Sequence, residues 1–393
     1  MSNWYTARTS LLYVGEEATY GAAPVLASTN AFRHMSQKLS FNPRNLAKSP
    51  ERHSTPDQRT LFTRRQTGSF DVKAMLYPSG TLNTLPESDI VLRNAFGPPT
   101  NITLATTVAS GAGVSGATVV SAVGLAIGQP VQIGVLGGLL PGLYVRWLTG
   151  VAGLALTWAP ALPAACAVAD TIKGCVGYAF QTALTKSLDI AHYPQSPSAG
   201  TPAREALGCV IQKLSLMFDS NLEPMIQITG PSQGFAGVSP TFTPQTKPAA
   251  FTTVGAESGI PSGLTGYFQH GATLFEIEKL QIDYELALDL QNTAFGTTKA
   301  AAFYRKGVRS VTIKIDGKVS DDLTLWTPAL ASTSNPCMLQ IGLTGGRIFA
   351  IYCPNLVFDS VPDIGDNDGD NDWSFTGQAL AVAGNDEAVI ACA

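Results

Sequence analysis

The stretch from Lys279 to Leu290, KLQIDYELALDL, constrains the fold more than any other. Leu280, Ile282, Tyr284, Leu286, Leu288 and Leu290 fall at every second position, with Gln281, Asp283, Glu285, Ala287 and Asp289 between them. Side chains of an extended strand alternate between faces, so this pattern makes one apolar face and one polar, mostly acidic face. Burying each apolar side chain is worth roughly 1.5–3 kcal/mol before conformational entropy is subtracted. A one-residue slip would turn the whole apolar row to solvent, so burial fixes the register. A helix would scatter the same residues around its circumference. The stretch is expected to be one strand.

Composition points the same way. Charged residues are 14% of the chain, against about 25% in an average soluble protein. The 38 glycines and 25 prolines supply turns for many short strands. A length of 393 residues exceeds one ordinary core and implies two or three domains. The net charge of −4 divides unevenly: residues 1–76 hold ten Lys/Arg and five Asp/Glu, +5, leaving −9 for the remainder. No dense basic run accompanies this asymmetry, so subunit contacts explain it better than nucleic-acid binding. The six cysteines make no CxxC pair and no zinc spacing, and read as small buried apolar residues of a protein made in a reducing cytoplasm. The opening MSNWYTARTS has no apolar signal-peptide core. Asn94 to Val145 carries no charge, but Gly128-Gln129-Pro130, Gln132 and Pro141 interrupt any bilayer-spanning window, which favours β-structure there.

Taken in order, strands are expected at Ser10–Val14, Phe32–Phe41 and GSFDVKAML (68–76), with a long polar, proline-marked loop from Asn42 to Arg59. A short helix is expected from Pro86 to Phe96, with acids toward its positive end. Residues 100–176, rich in Gly, Ala and Val, read as short strands of a small inserted β-barrel-like domain. Strands resume at KSLDIAHY, CVIQKLSLMF and MIQITG, and a Pro/Gly/Ser/Thr-rich stretch from Pro231 to Gly263 serves as a linker. After the opening strand come SVTIKI, a helix starting near Ser320 with Asp321 and Asp322 in its first turn, a hairpin across Gly345-Gly346, and the strands FAIYCPNLVF and WSFTGQALAVA.

Sliding the chain against itself exposes an internal duplication. At an offset of 241, Lys38-Leu39 falls on Lys279-Leu280, Phe62-Thr63-Arg64-Arg65 on Phe303-Tyr304-Arg305-Lys306, and Ser69-Phe70-Asp71-Val72-Lys73 on Ser310-Val311-Thr312-Ile313-Lys314. At an offset of 140, Leu216-Met217-Phe218-Asp219-Ser220 falls on Leu356-Val357-Phe358-Asp359-Ser360, and Ile228-Thr229-Gly230 resembles Phe375-Thr376-Gly377. The expected organisation is all-β. Residues 1–99 and 177–260 form a first module with its linker, 100–176 the insertion, and 261–393 a second, related module.

With that layout, the chain resembles the tail tube proteins of tailed bacteriophages with long, non-contractile tails. The resemblance runs through TSLLYVGEEATYGAAP, NPRNLAKSPERHSTPDQRT, RRQTGSFDVKAML, ESDIVLRNAFG, CVIQKLSLMF, KLQIDYELAL and WSFTGQALAVAGNDEAVI, and covers most of the chain outside the insertion. It implies tandem β-sandwich or half-barrel modules, each with a short flanking helix, that assemble into rings stacked as a tube conducting double-stranded DNA. It also implies location in the virion tail, and partners among terminator, tape-measure and baseplate proteins, with no membrane and no cofactor. Asp283, Glu285 and Asp289 would then face the lumen, where acids repel phosphates and let DNA slide. The charged loop residues Arg44, Lys48, Glu51, Arg52, Asp57 and Arg59 are candidates for ring-to-ring contact. Two modules per chain predict a trimeric ring with pseudo-sixfold symmetry. Alternatives are another virion β-protein of a baseplate or tail-end ring, and a carbohydrate-binding adhesin, against which the dispersed tryptophans argue.

Chemical motifs are sparse, and no enzymatic activity is expected. Gly111 to Gly116 spells GxGxxG but lacks the following helix and ribose-binding acid of a dinucleotide site. Asp363, Asp366, Asp368, Asp370 and Asp372 form the best calcium candidate, yet Asn371 and Gly377 stand where an EF-hand loop needs Gly and Glu, which favours an exposed acidic turn. The four histidines have no partner at ligand or triad spacing, and HExxH and GxxxxGK are absent from the sequence.

Overall fold

Alternating patterns become strands along much of the described chain, and the computed structural model is 52% strand and 7% helix. The structure describes residues 10–42, 46–48, 61–63, 65–111, 113–135, 142–182, 186–193, 204–220, 222–235, 261, 263–271, 273–293, 296–297, 299–318, 326–359, 364–367 and 370–393, with backbone alone at 46–48, 61–63, 235, 263, 318, 364–367 and 370–371.

The largest sheet contains an unbroken antiparallel path. Its order is Phe349–Phe358, Asp370–Ala379, Ser310–Lys318, Lys279–Glu285, Lys213–Asp219, Met225–Ser232, Thr67–Met75 and Ser36–Asn42. Beyond Phe349–Phe358 it continues through Asn335–Ile341 and Gly266–His270 to Thr273–Phe275. A second sheet runs Gly234–Phe235, Arg204–Cys209, Leu188–Tyr193, Leu11–Glu16, Ala31–Phe32. Both sheets turn apolar faces into one core. Leu39, Phe70, Val72, Leu216, Ile282, Ile313 and Phe375 come from the first, Leu12, Val14, Ile190 and Ala206 from the second. The architecture is all-β and sandwich-like.

The Lys279–Leu290 stretch is two strands, not one. Lys279–Glu285 lies inside the large sheet, whereas Leu288–Leu290 pairs with Phe303–Arg305 in a separate ladder. Ala287, at φ 53°, turns the chain between them. Backbone bonds from Leu286 to Gln212 and from Lys306 to Ala287 hold the turn. Parity survives it: all six apolar residues are at most 6% exposed. CVIQKLSLMF divides similarly, into Arg204–Cys209 and Lys213–Asp219, because Val210 and Ile211 are buried in succession and break the alternation. Phe32–Phe41 also divides, into Ala31–Phe32 and Ser36–Asn42. The Asn42–Arg59 connection contains part of a ladder of its own, Leu46–Lys48 with Leu61–Thr63.

The first helix is shorter than expected, Asp89–Phe96, and ends where Gly97 takes φ 123°. Asp89 occupies its first turn, favoured by the helix dipole, and accepts from Tyr178 Oη at 2.8 Å. The second helix is Trp326–Ala331; Ser320, Asp321 and Asp322 lie outside the described residues. No described helix is long and apolar enough to cross a membrane.

Residues 105–174 close a barrel in the order Pro130–Val135, Gly142–Ala152, Ala155–Ala159, Gly116–Val119, Ala105–Ser110, Thr171–Gly174. Val108, Ile133, Leu148, Leu156 and Ile172 fill it. The GxGxxG sequence falls between Ala105–Ser110 and Gly116–Val119, two strands paired with each other, and is not followed by a helix. The barrel is firmly docked on the C-terminal part of the chain. Trp147 stacks on Tyr352 with ring centroids 5.2 Å apart, and Val145, Met338, Ile348 and Val389 share the contact. Gln340 bridges the seam, accepting from Val145 N at 2.8 Å and donating to Leu143 O at 2.7 Å.

Candidate functional site

The outward face of the long path is the surface on which two of the acidic candidates meet. Alternation places Leu280, Ile282 and Tyr284 in the core and sends Gln281, Asp283 and Glu285 to the opposite side. Antiparallel pairing then sets charges side by side. Lys38 lies opposite Asp71, Lys213 opposite Glu285, and Lys279 between Asp219 and Asp316. Opposite charges on facing residues of neighbouring strands attract, so the surface is charge-alternating where the sequence of one strand suggested an acidic row.

Asp283 is the best-held member. Only 8% exposed, it accepts from Ser215 Oγ at 2.6 Å and from Gln281 Nε2 at 3.0 and 3.1 Å, with Lys213 Nζ at 3.2 Å. Burial by itself would push its carboxyl up, but the bonds from Ser215, Gln281 and Lys213 together outweigh burial and hold it below the usual range. Lys213 also reaches Glu285 Oε1 at 3.5 Å. One lysine therefore bridges two acids of the neighbouring strand. Asp289 belongs elsewhere, in the Leu288–Leu290 ladder, paired with Lys306 Nζ at 3.2 Å.

The long path ends in an open edge. Ser36–Asn42 pairs with Thr67–Met75 on one side, and among the described residues no strand pairs with its other side. Strand edges left with free N–H and C=O groups are templates for further pairing. Beside this edge lies an open groove of about 860 Å³ lined by Leu11, Leu12, Phe32, His34, Met35 and Gln37.

The remaining candidates are only partly placed. Arg44, Glu51, Arg52, Asp57 and Arg59 lie outside the described residues, and Lys48 is described by its backbone alone. Asp366 and Asp370 lie on paired strands, opposite Asn371 and Asn367, and Asp372 opposite Lys318; Asp363 and Asp368 lie outside the described residues. Among the described residues no group of three His, Cys, Asp or Glu is placed to hold a metal ion.

The sequence did not single out a buried acidic cluster in the second sheet: Glu17 at 1%, Asp189 at 0% and Glu205 at 3% exposure. Glu17 accepts from Gly208 N at 2.8 Å, from Gly21 N at 2.7 Å and from Ser187 Oγ, yet burial still pushes its carboxyl up. A second unanticipated group is Arg146, fully buried in the barrel seam. It donates to Val145 O, Ala161 O, Tyr267 Oη and Gln269 Oε1 at 2.7–3.3 Å, while its Nε finds no acceptor. The six cysteines are all free and buried. No protein-family model matches the chain, and no curated protein matches its sequence.

Proposed function

We propose that the chain is a structural subunit of a phage tail tube, built from two tandem modules, and that three chains close a ring with pseudo-sixfold symmetry that stacks into a DNA-conducting tube. The observation that carries this reading is the order of strands. The sequence Phe349–Phe358, Asp370–Ala379, Ser310–Lys318, Lys279–Glu285 is repeated, match for match, by Lys213–Asp219, Met225–Ser232, Thr67–Met75, Ser36–Asn42. The smaller sheet repeats as well. Gly234–Phe235, Arg204–Cys209, Leu188–Tyr193, Leu11–Glu16 and Ala31–Phe32 have the same order as Val389–Cys392, Phe349–Phe358, Asn335–Ile341, Gly266–His270 and Thr273–Phe275. Chance alternation would not reproduce seven strand pairings in one order. Registers have drifted: at the offset of 241, the pair Leu39–Phe70 would become Leu280–Val311, whereas Leu280 faces Ile315, four residues on. The shift is even, so every side chain keeps its face.

Inside the chain the modules join edge to edge, Lys213–Asp219 against Lys279–Glu285, over seven paired positions. The first module's equivalent of Lys279–Glu285 is the open strand Ser36–Asn42. A head-to-tail joint between chains can therefore reuse the end of the joint within the chain, at residues 357–359, since Leu356 and Cys353 already pair with Asn335 and Cys337, and such joints close rings. The exposed polar face then lines the lumen through alternating charges; DNA slides because no excess of cations gathers on that face to hold phosphates. Trp147, Trp158 and Trp373 are at most 7% exposed, leaving those rings without the open stacking face a carbohydrate-binding adhesin needs.

Electron microscopy of the purified protein tests the reading, with native mass spectrometry of single rings. Stacked rings or tubes of three chains per ring are expected. Persistent monomers at high concentration would sink the tube reading, and six chains per ring would overturn the trimer.

A further inference from the structure

The second sheet has two faces. Leu12, Val14, Ile190 and Ala206 enter the main core, whereas Tyr13, Ala191 and Tyr193 form a separate cluster with Leu26 on the other side. Glu205 stands opposite Ala191, and Asp189, two residues along from Ala191, shares that face as its diagonal neighbour. Diagonal pairs lie within reach of longer side chains. Asp189 is fully buried, and among the described residues no donor reaches either of its carboxylate oxygens. Ionised, it would be an unsolvated anion beside two other carboxyl groups, Glu205 and Glu17, at a cost that proteins avoid by neutralising the group.

We propose that Asp189 carries a proton at neutral pH, donates it in a hydrogen bond to the Glu205 carboxylate, and so makes closure of the seam between Leu188–Tyr193 and Arg204–Cys209 depend on proton occupancy. The step is a simple dissociation: the proton leaves Asp189 for water, and the two carboxylates left facing each other repel. Each described element packed on this face contributes a titratable group, and among the described residues none contributes a cation to Asp189. These are Tyr13 from Leu11–Glu16, Glu17 and Tyr20 from the following turn, Tyr193 from its own strand, and Glu205 and Cys209 from the neighbouring strand. His34 and Arg204 both act on His192, which faces Arg204 within the seam itself. Burial first, then Glu205 and Glu17, push Asp189 up to about 9.

The seam is mechanically tied to the open edge. His192, on the same strand as Asp189, meets Gln37 of Ser36–Asn42 at 3.1 Å. Opening the seam removes that support, so proton loss loosens the edge strand too.

The sign follows from linkage. A carboxyl with a raised folded value stabilises the closed seam fully below its unfolded value near 4, and that stabilisation is lost as pH rises toward 9. Infrared spectroscopy of the wild-type chain at pH 7 should show the C=O stretch of a protonated buried carboxyl, and Asp189→Asn should abolish it. Hydrogen exchange, corrected for intrinsic pH dependence, should show opening of 188–193 and 204–209 rising by up to tenfold per pH unit between pH 6 and 9 in wild type, and remaining flat in Asp189→Asn. Absence of the band from the wild-type protein overturns the proposal without reference to any variant. Identical pH dependence in wild type and Asp189→Asn overturns it as well. Neither readout depends on whether the chain forms tubes.

Discussion

Asp283 shows how a single polar position becomes defined. Its alternation in KLQIDYEL sends it outward, and Ser215, Gln281 and Lys213 then surround it with donors from its own and the neighbouring strand. The carboxyl is held below its usual range, so the native state prefers it ionised. Its contribution to stability is present above the ordinary carboxylate value and is lost as pH falls through the lower folded one. Asp283→Asn should therefore be less stable than wild type at pH 7 by about 1–3 kcal/mol, and the difference should shrink as pH falls from 5 to 2. Urea midpoints across that range check it. A wild-type advantage that persists unchanged at pH 2 would remove the carboxylate from the explanation. Asp189 is the contrasting case: the same residue type in the same alternating context, but with a covered face and no donors among the described residues, so that burial dominates and the sign reverses.

At the scale of elements, the joint inside the chain predicts the joint between chains. Asp219 faces Lys279 there, and Phe218 faces Leu280. Carried onto the open edge by the duplicated segments, the facing pairs become Asp359 of one copy with Lys38 of the next, and Phe358 with Leu39. Asp359 is exposed and engages Gln378 Nε2 at 3.3 Å, so it can accept a further partner. Lys38→Glu should weaken self-association at least tenfold in sedimentation experiments, an effect of about 1.4 kcal/mol or more, with the fold of the single chain unchanged. Adding Asp359→Lys should restore assembly, since every joint then regains opposite charges. Failure of the double change to restore what the single change removes would place the joint elsewhere. Edge strands that aggregate freely are a liability, and the one charge on this strand, Lys38, gives it a specific partner.

For the whole molecule, the inserted barrel is the element whose relation to the rest was least apparent beforehand. Its Gly-, Ala- and Val-rich composition marked it only as a small inserted domain. Instead Arg146, one of its few charged residues, is buried in the seam and donates across it to Tyr267 and Gln269. Arg146→Ala would leave a cavity and unpaired acceptors, and should destabilise the chain by roughly 2–5 kcal/mol. Limited proteolysis should then cut near 99–104 and 175–182 faster than in wild type, with the barrel released intact. Unchanged cleavage and an unchanged denaturation midpoint would show that the apolar contacts of Trp147 and Tyr352 alone secure the docking.

Strand character and parity were legible in the sequence because each rests on local covalent geometry. Successive side chains point to opposite faces whatever the strand is packed against, so the apolar row from Leu280 to Leu290 stayed buried even where Ala287 broke the strand. The inserted barrel was legible for the same reason, as a run of short alternating segments between turn residues. What tertiary structure decided was what lies on the far side of each polar face. Asp283 and Asp189 look alike in sequence, and only the packing of distant strands gives one a lysine and a serine hydroxyl and the other a neighbouring carboxylate. The acidic row became an alternating one because Lys213 arrives from some seventy residues away, and the barrel found its seat on strands beyond residue 265. Alternation sets which way a side chain points; the energy of pointing there is set by neighbours brought in by the fold.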